Sequence, residues 1–158
     1  MLRVSRLTDY ATVLLTVLAR EPAALQSATT LAEQARLEPP TTSKVLKQLG
    51  QAGLVESQRG AAGGYRLSRP ASEISLADVV IAIEGPIGMT ECSIQPGECG
   101  HEPHCGISSG WQRVSMAISS ALRSVSLADL LRQTPLKIDA RRIAAQVLGS
   151  APAARPGR

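Results

Sequence analysis

The chain has 158 residues, a mass of 16.6 kDa and a formal net charge of +4. That length accommodates one domain with a real core, or a small domain plus a dimerisation element, and excludes two independent enzyme domains. No run of about eighteen apolar residues occurs. Met1-Leu-Arg-Val-Ser-Arg6 also lacks the pattern of a cleavable secretory signal, so a cytoplasmic chain with reduced thiols and no membrane partner is expected.

The charge is unevenly spread. Residues 1–70 hold nine Lys/Arg against five Asp/Glu, residues 71–132 three against seven, and residues 133–158 five against one. A basic front suits a module that neutralises phosphates and releases their counterions. Aromatic content is 2%, with Tyr10, Tyr65 and Trp111 as the only rings, too few to stack single-stranded bases.

In chain order, Leu7, Tyr10, Ala11, Leu14, Val17 and Leu18 recur at helical spacing and predict an amphipathic helix that ends before Glu21-Pro22. Thr30-Leu-Ala-Glu33 reads as a capping box opening a short second helix. Leu37-Glu-Pro-Pro40 breaks it and places proline in the first turn of a third helix, which buries Val45, Leu46 and Leu49 and stops at Ala52-Gly53. Two short helices at a tight turn with another packed across them are a helix-turn-helix. The period then changes: Leu54–Gln58 and Tyr65–Ser68 read as strands joined by the glycine-rich run Arg59-Gly-Ala-Ala-Gly-Gly64, a hairpin in the position of a wing.

Ser75-Leu-Ala-Asp78 and Ser126-Leu-Ala-Asp129 are near-identical and are read as two separate capping boxes rather than an internal repeat. The first opens a helix stopped by Gly85-Pro86, and residues 87–106 read as a long, functional loop. From Ser108 a longer helix sets Trp111, Val114, Ile118, Leu122 and Val125 on one stripe, which points to a partner helix in a second subunit, with packing onto the first helix as the alternative. The expected fold is mainly α with a small β-hairpin wing: a winged helix-turn-helix over 1–70, a linker helix and cysteine loop over 71–106, a dimerisation helix and short terminal helix over 107–132, and a flexible tail over 133–158.

All three cysteines, Cys92, Cys99 and Cys105, fall in the loop with spacing Cys-x6-Cys-x5-Cys, beside Glu98, His101 and His104. An odd set of thiols strands one sulfur in any disulfide scheme, so the loop reads as a metal clasp. Zinc favours four ligands and paired Cys-x-x-Cys knuckles, which are absent; a structural zinc site in a DNA-binding dimer stays open as the competitor. A thiol nucleophile with His101 or His104 as base lacks oxyanion donors, paired carboxylates or a phosphate loop, so no enzyme and no small-molecule substrate are expected.

Arg6-Leu-Thr-Asp-Tyr10, Gly53-Leu-Val, Arg59-Gly-x-x-Gly-Gly-Tyr-Arg-Leu67, Ile74-Ser-Leu, Glu84-Gly-Pro86 and the three-cysteine loop followed by Trp111 together resemble the winged-helix iron-sulfur regulators, the family that includes IscR and NsrR. Over roughly residues 1–132 the likeness is greatest to the branch that represses the SUF iron-sulfur assembly genes. The resemblance implies a homodimer that binds a double-stranded operator and holds one cluster per subunit on Cys92, Cys99 and Cys105, with [2Fe-2S] preferred to [4Fe-4S]. Sensing of nitric oxide or redox state is the family's alternative role. Where IscR-like members carry a histidine three residues after the last cysteine, this chain has Ser108. The resemblance to NsrR-like members ranks Asp9, reached from the other subunit, first as fourth ligand, ahead of His104 and then His101.

For DNA, Pro40, Thr41, Ser43 and Lys44 face outward at the start of the third helix, with Lys47 one turn on, as a major-groove reader requires. Arg59 at the wing tip suits a minor groove, and Arg3 and Arg6 suit backbone phosphates near the dimer axis.

Overall fold

The structure is a computed structural model that describes residues 3–60, 62–95, 97–132 and 138–149. Helix α1 (Arg6–Arg20) begins at Ser5, whose hydroxyl accepts the Thr8 N–H at 3.3 Å, and it buries Ala11, Leu14, Leu15, Val17 and Leu18. Helix α2 (Ala28–Ala35) starts earlier than the expected Thr30 capping box. Its cap is Ser27, whose hydroxyl accepts from the Thr30 N–H at 3.1 Å, because the extended backbone a cap needs occurs there and Thr30 already lies inside the first turn. It ends at Arg36, which takes the left-handed conformation. Helix α3 (Pro39–Gln51) opens with the two prolines and no side-chain cap, as the sequence indicates, since a first-turn N–H has no intrahelical acceptor to lose.

Strands β1 (Val55–Gln58) and β2 (Gly64–Leu67) pair antiparallel in the register Val55↔Leu67 to Gln58↔Gly64. The wing is tied back to the helices at its root: Gln26 and Tyr65 exchange both backbone bonds, at 3.0 and 2.8 Å. That approach explains Gly64, where a Cβ would lie 2.7 Å from the Gln26 carbonyl oxygen; among the described residues of this turn, Gly60 alone supplies the positive φ expected of the hairpin.

Helix α4 (Leu76–Glu84) and the short helix α7 (Leu127–Leu131) each carry a complete capping box, Ser75 with Asp78 and Ser126 with Asp129. The two boxes also meet. Ser75 and Ser126 form an antiparallel bridge, with the Leu76 N–H on the Val125 carbonyl at 2.9 Å and the Leu127 N–H on the Ile74 carbonyl at 2.7 Å. This joint seats Ile74 and Leu127 in the same core as α1 and α3. Each fully buried leucine or isoleucine there is worth about 1.5–3 kcal/mol relative to exposure.

The stretch 87–106, expected as a loop, contains helix α5 (Glu91–Ile94) and a 3-10 turn at Glu102–His104. Helix α6 (Ser108–Arg123) packs on α4 and α5, while α1 receives α7. Residues 138–149, read from sequence as flexible tail, hold helix α8 (Ala140–Gly149) on α6. Its Asp139 carboxylate caps the Arg141 and Arg142 N–H groups at 2.9 and 3.1 Å, and Ser120 donates to Gln146 across the contact. Residues 133–137 and 150–158 of that expected tail lie outside the described residues.

Candidate cysteine centre and nucleic-acid interface

All three thiols are unpaired. Cys92 sits in α5 at 5% exposure, while Cys99 and Cys105 are half-buried. The structure explains the difference through anchoring. The Met89 N–H donates to the Ser115 hydroxyl of α6 at 3.0 Å, and Thr90 Oγ1 lies 3.2 Å from Cys92 Sγ and 2.6 Å from Ser93 Oγ. The chain just before Cys92 is thereby tied to α6 through Met89, and Thr90 contacts the thiol within the segment. Cys99 and Cys105 instead bracket a turn closed on itself: Glu102 accepts the Gly97 N–H at 2.6 Å, and the N–H groups of Glu102, His104 and Cys105 bond to carbonyls three residues back.

Among the described residues no group of three or more His, Cys, Asp and Glu side chains comes together as a metal site. The structure therefore does not gather Cys92, Cys99, Cys105, Asp9, His101 and His104 into one ligand set. His101, His104 and Glu98 are exposed, and Asp9 is exposed in the first turn of α1. Ser108, at the family's histidine position, turns its hydroxyl to the Cys105 carbonyl at 3.4 Å. As donors, three reduced thiols with no disulfide partner fit iron-sulfur chemistry, since soft thiolate matches the cluster irons.

The expected DNA-facing residues are accessible. Pro40, Ser43, Lys44 and Lys47 are exposed on α3 and Thr41 is half-buried, while Thr42, Val45, Leu46 and Leu49 face the core. Arg59 at the wing and Arg3 and Arg6 at the start of α1 are also exposed. Among the described residues none of Lys44, Lys47, Arg59, Arg3 and Arg6 forms an ion pair, whereas Arg66 of β2 is held by Glu56 on β1. The cations at the tip and on α3 are thus available to phosphate, and the one on the wing's flank is engaged within the fold.

Two residues not singled out from sequence position these parts. Arg69, just after the wing, donates to the Glu73 carbonyl at 3.1 Å and to Asp78 at 3.4 Å, fastening the wing's end to α4. Burial acts against the charged Asp78 carboxylate, but the Ser75 N–H and hydroxyl, Arg69 and Arg123 together hold its pKa below the usual value. Glu84, the last residue of α4, accepts the Ser5 N–H at 2.8 Å and the Thr8 hydroxyl; these bonds, the Thr8 hydroxyl first, lower its pKa. The sequence signal was Glu84-Gly-Pro86, read as a helix end and as one motif of the family resemblance, with no contact assigned to Glu84.

Comparison with known proteins agrees with this fold. The protein aau3 of Rhizobium meliloti (strain 1021) is 34% identical over 136 residues, covering 85% of this chain and 88% of its own. The HTH-type transcriptional regulator NsrR of Bacillus subtilis (strain 168) is 30% identical over 133 residues, covering 83% and 91%. The solved structure of T. potens IscR superposes with a TM-score of 0.63 at 28% identity, covering 86% of this chain and 94% of that one. Residues 4–133 match the Rrf2 family, described as iron-dependent transcriptional regulators. The chain therefore belongs to the Rrf2 family, as a winged-helix transcriptional regulator and not an enzyme.

Proposed function

We propose that this regulator is a homodimeric repressor whose grip on a double-stranded operator follows the state of an iron-sulfur cluster on Cys92, Cys99 and Cys105, and that iron-sulfur assembly (SUF) genes are its targets. The observation that carries the reading is the placement of three unpaired thiols on the one segment that joins α4, packed against the helix-turn-helix, to α6. A cluster held there, [2Fe-2S] in preference to [4Fe-4S], would supply a cross-link between thiolates that depends on iron and oxidant. Asp9 ranks first as its fourth ligand and His104 second; an aspartate reached across a dimer comes from the second subunit.

The chain's own residues do the rest. Thr41, Ser43, Lys44 and Lys47 offer hydroxyl and cationic contacts to the major groove, and Arg59 reaches a minor groove. Two such heads on a two-fold axis expect a pseudo-palindromic site. Support for a second subunit comes from Ile107, Trp111 and Val114, which leave α6 with 65%, 40% and 44% exposure on one side.

Operator affinity of anaerobically purified protein, measured with cluster and after its removal, tests the reading. A tighter cluster-loaded complex is expected, and equal affinities would sink it. A second reading, direct redox sensing, is favoured by the partial exposure of Cys99 and Cys105, which leaves both thiols open to oxidant. A colourless protein carrying zinc in place of iron and sulfide would refute both in favour of a structural metal.

A further inference from the structure

We propose that Glu84 is the positioning residue through which the cysteine segment and the DNA-facing start of α1 act on each other, an inference that rests on the cluster-responsive reading above. The carboxylate closes the longest-range polar contact in the described structure, joining the C-terminal end of α4 to the N-terminal cap of α1 across separations of 79 and 76 residues. It takes the Ser5 N–H and the Thr8 hydroxyl, while the Ser5 hydroxyl takes the Thr8 N–H, so the first turn of α1 is held from inside by Ser5 and from outside by Glu84. A carboxylate at this end also meets the positive end of the helix dipole.

What lies on either side of the contact gives it a role beyond capping. On the α1 side that first turn carries Arg6 and Asp9, with Arg3 just before the cap: two cations proposed for phosphate and the first-ranked fourth ligand, which directly follows Thr8. Toward the C-terminus Glu84 is followed by Gly85, with φ +88°, and then by the stretch that Met89 and Thr90 fasten around Cys92. A shift of the cysteine segment therefore moves a chain that pivots next to Glu84. Glu84 is exposed while its partner Thr8 is buried, so water competes for the carboxylate's bonds, which are polar contacts added to the apolar packing of α1 on α4. This separates it from Ile74 or Leu127, whose loss would unfold the joint.

The test uses the full chain with two readouts. In cluster-free protein, Glu84→Ala is expected to speed amide hydrogen exchange in residues 5–9 by about tenfold. In operator binding, the ratio of cluster-loaded to cluster-free affinity is expected to fall toward one while iron and sulfide content match the parent. A parent-like affinity ratio in a variant with parent-like iron and sulfide overturns the proposal, as does unchanged exchange. Should Glu84→Ala fail to fold or to take up iron, Thr8→Val, which deletes only the hydroxyl donor, is judged by the same two outcomes. A parent whose own ratio is one defeats the sensing reading alone; exchange in the cluster-free variant then still decides whether Glu84 positions α1.

Discussion

The helix-turn-helix half and the cysteine-bearing half of this protein are held together in different ways. In the first, α1, α2, α3 and the root of the wing surround one apolar core in which Leu14, Leu15, Leu31, Val45, Leu46 and Leu49 are completely buried. In the second, α5, the 3-10 turn and α6 rely on hydroxyl and backbone bonds, and Ile94, Ile107, Trp111 and Val114 stay exposed. A reader of DNA has to present its contact residues at fixed spacing, which close packing provides. A segment that answers to a ligand needs alternative arrangements within reach, which a sparsely packed, hydrogen-bonded turn provides.

Truncation experiments can break that contrast. Leu14→Ala is expected to cost about 3 kcal/mol of unfolding free energy in urea titration, the cost of an unfilled core cavity. Trp111→Ala, on the open side of α6, is expected to leave subunit stability within about 0.5 kcal/mol while weakening self-association in sedimentation equilibrium. Equal losses at the two positions would show that α6 is as closely packed within the subunit as α1.

The paired capping boxes come next in size. Ser126→Ala is expected to cost about 1 kcal/mol in thermal or denaturant unfolding, because it frees the Asp129 N–H and removes the hydroxyl's bond to the Asp129 carboxylate. A similar gain is expected from Thr42→Val, since the buried Thr42 hydroxyl has no hydrogen-bond partner and valine fills the same space; a loss of stability would mean that the hydroxyl is satisfied.

The smallest effect is in pH. Glu84, Asp78 and Asp129 all have lowered pKa values in the folded chain. For Glu84 the Thr8 hydroxyl leads, for Asp129 the Ser126 hydroxyl leads, and for Asp78 the hydrogen bonds and arginines outweigh an opposing burial effect. A depressed carboxylate adds stability above its unfolded pKa, about 4. Their contribution is thus complete at neutral pH and is lost as pH falls through the folded values. Glu84→Gln should flatten part of the acid limb of a stability profile, and an unchanged limb would show that the Ser5 and Thr8 contacts contribute nothing.

Much of the fold was legible in local chemistry. Helical spacing in α1, prolines opening α3, glycines in the wing and serine-aspartate pairs opening α4 and α7 are each set by a few adjacent residues. The start of α2 was misplaced because Ser27 and Thr30 are both competent caps, and only backbone direction chooses between them. The helix within 138–149 was obscured by its mixed polarity, and it takes its support from the flank of α6.

The sequence alone was enough for the existence of a winged helix-turn-helix with a hairpin wing, because spacing and side-chain chemistry are local properties. Tertiary structure decided that the two Ser-Leu-Ala-Asp boxes pair, that Cys92 is anchored while Cys99 and Cys105 stay on a separate turn, and that Glu84 reaches the cap of α1. The first and last of those arrangements join residues many tens of positions apart. Local pattern cannot specify them, because which distant groups meet is settled only when the apolar faces of the helices choose their packing.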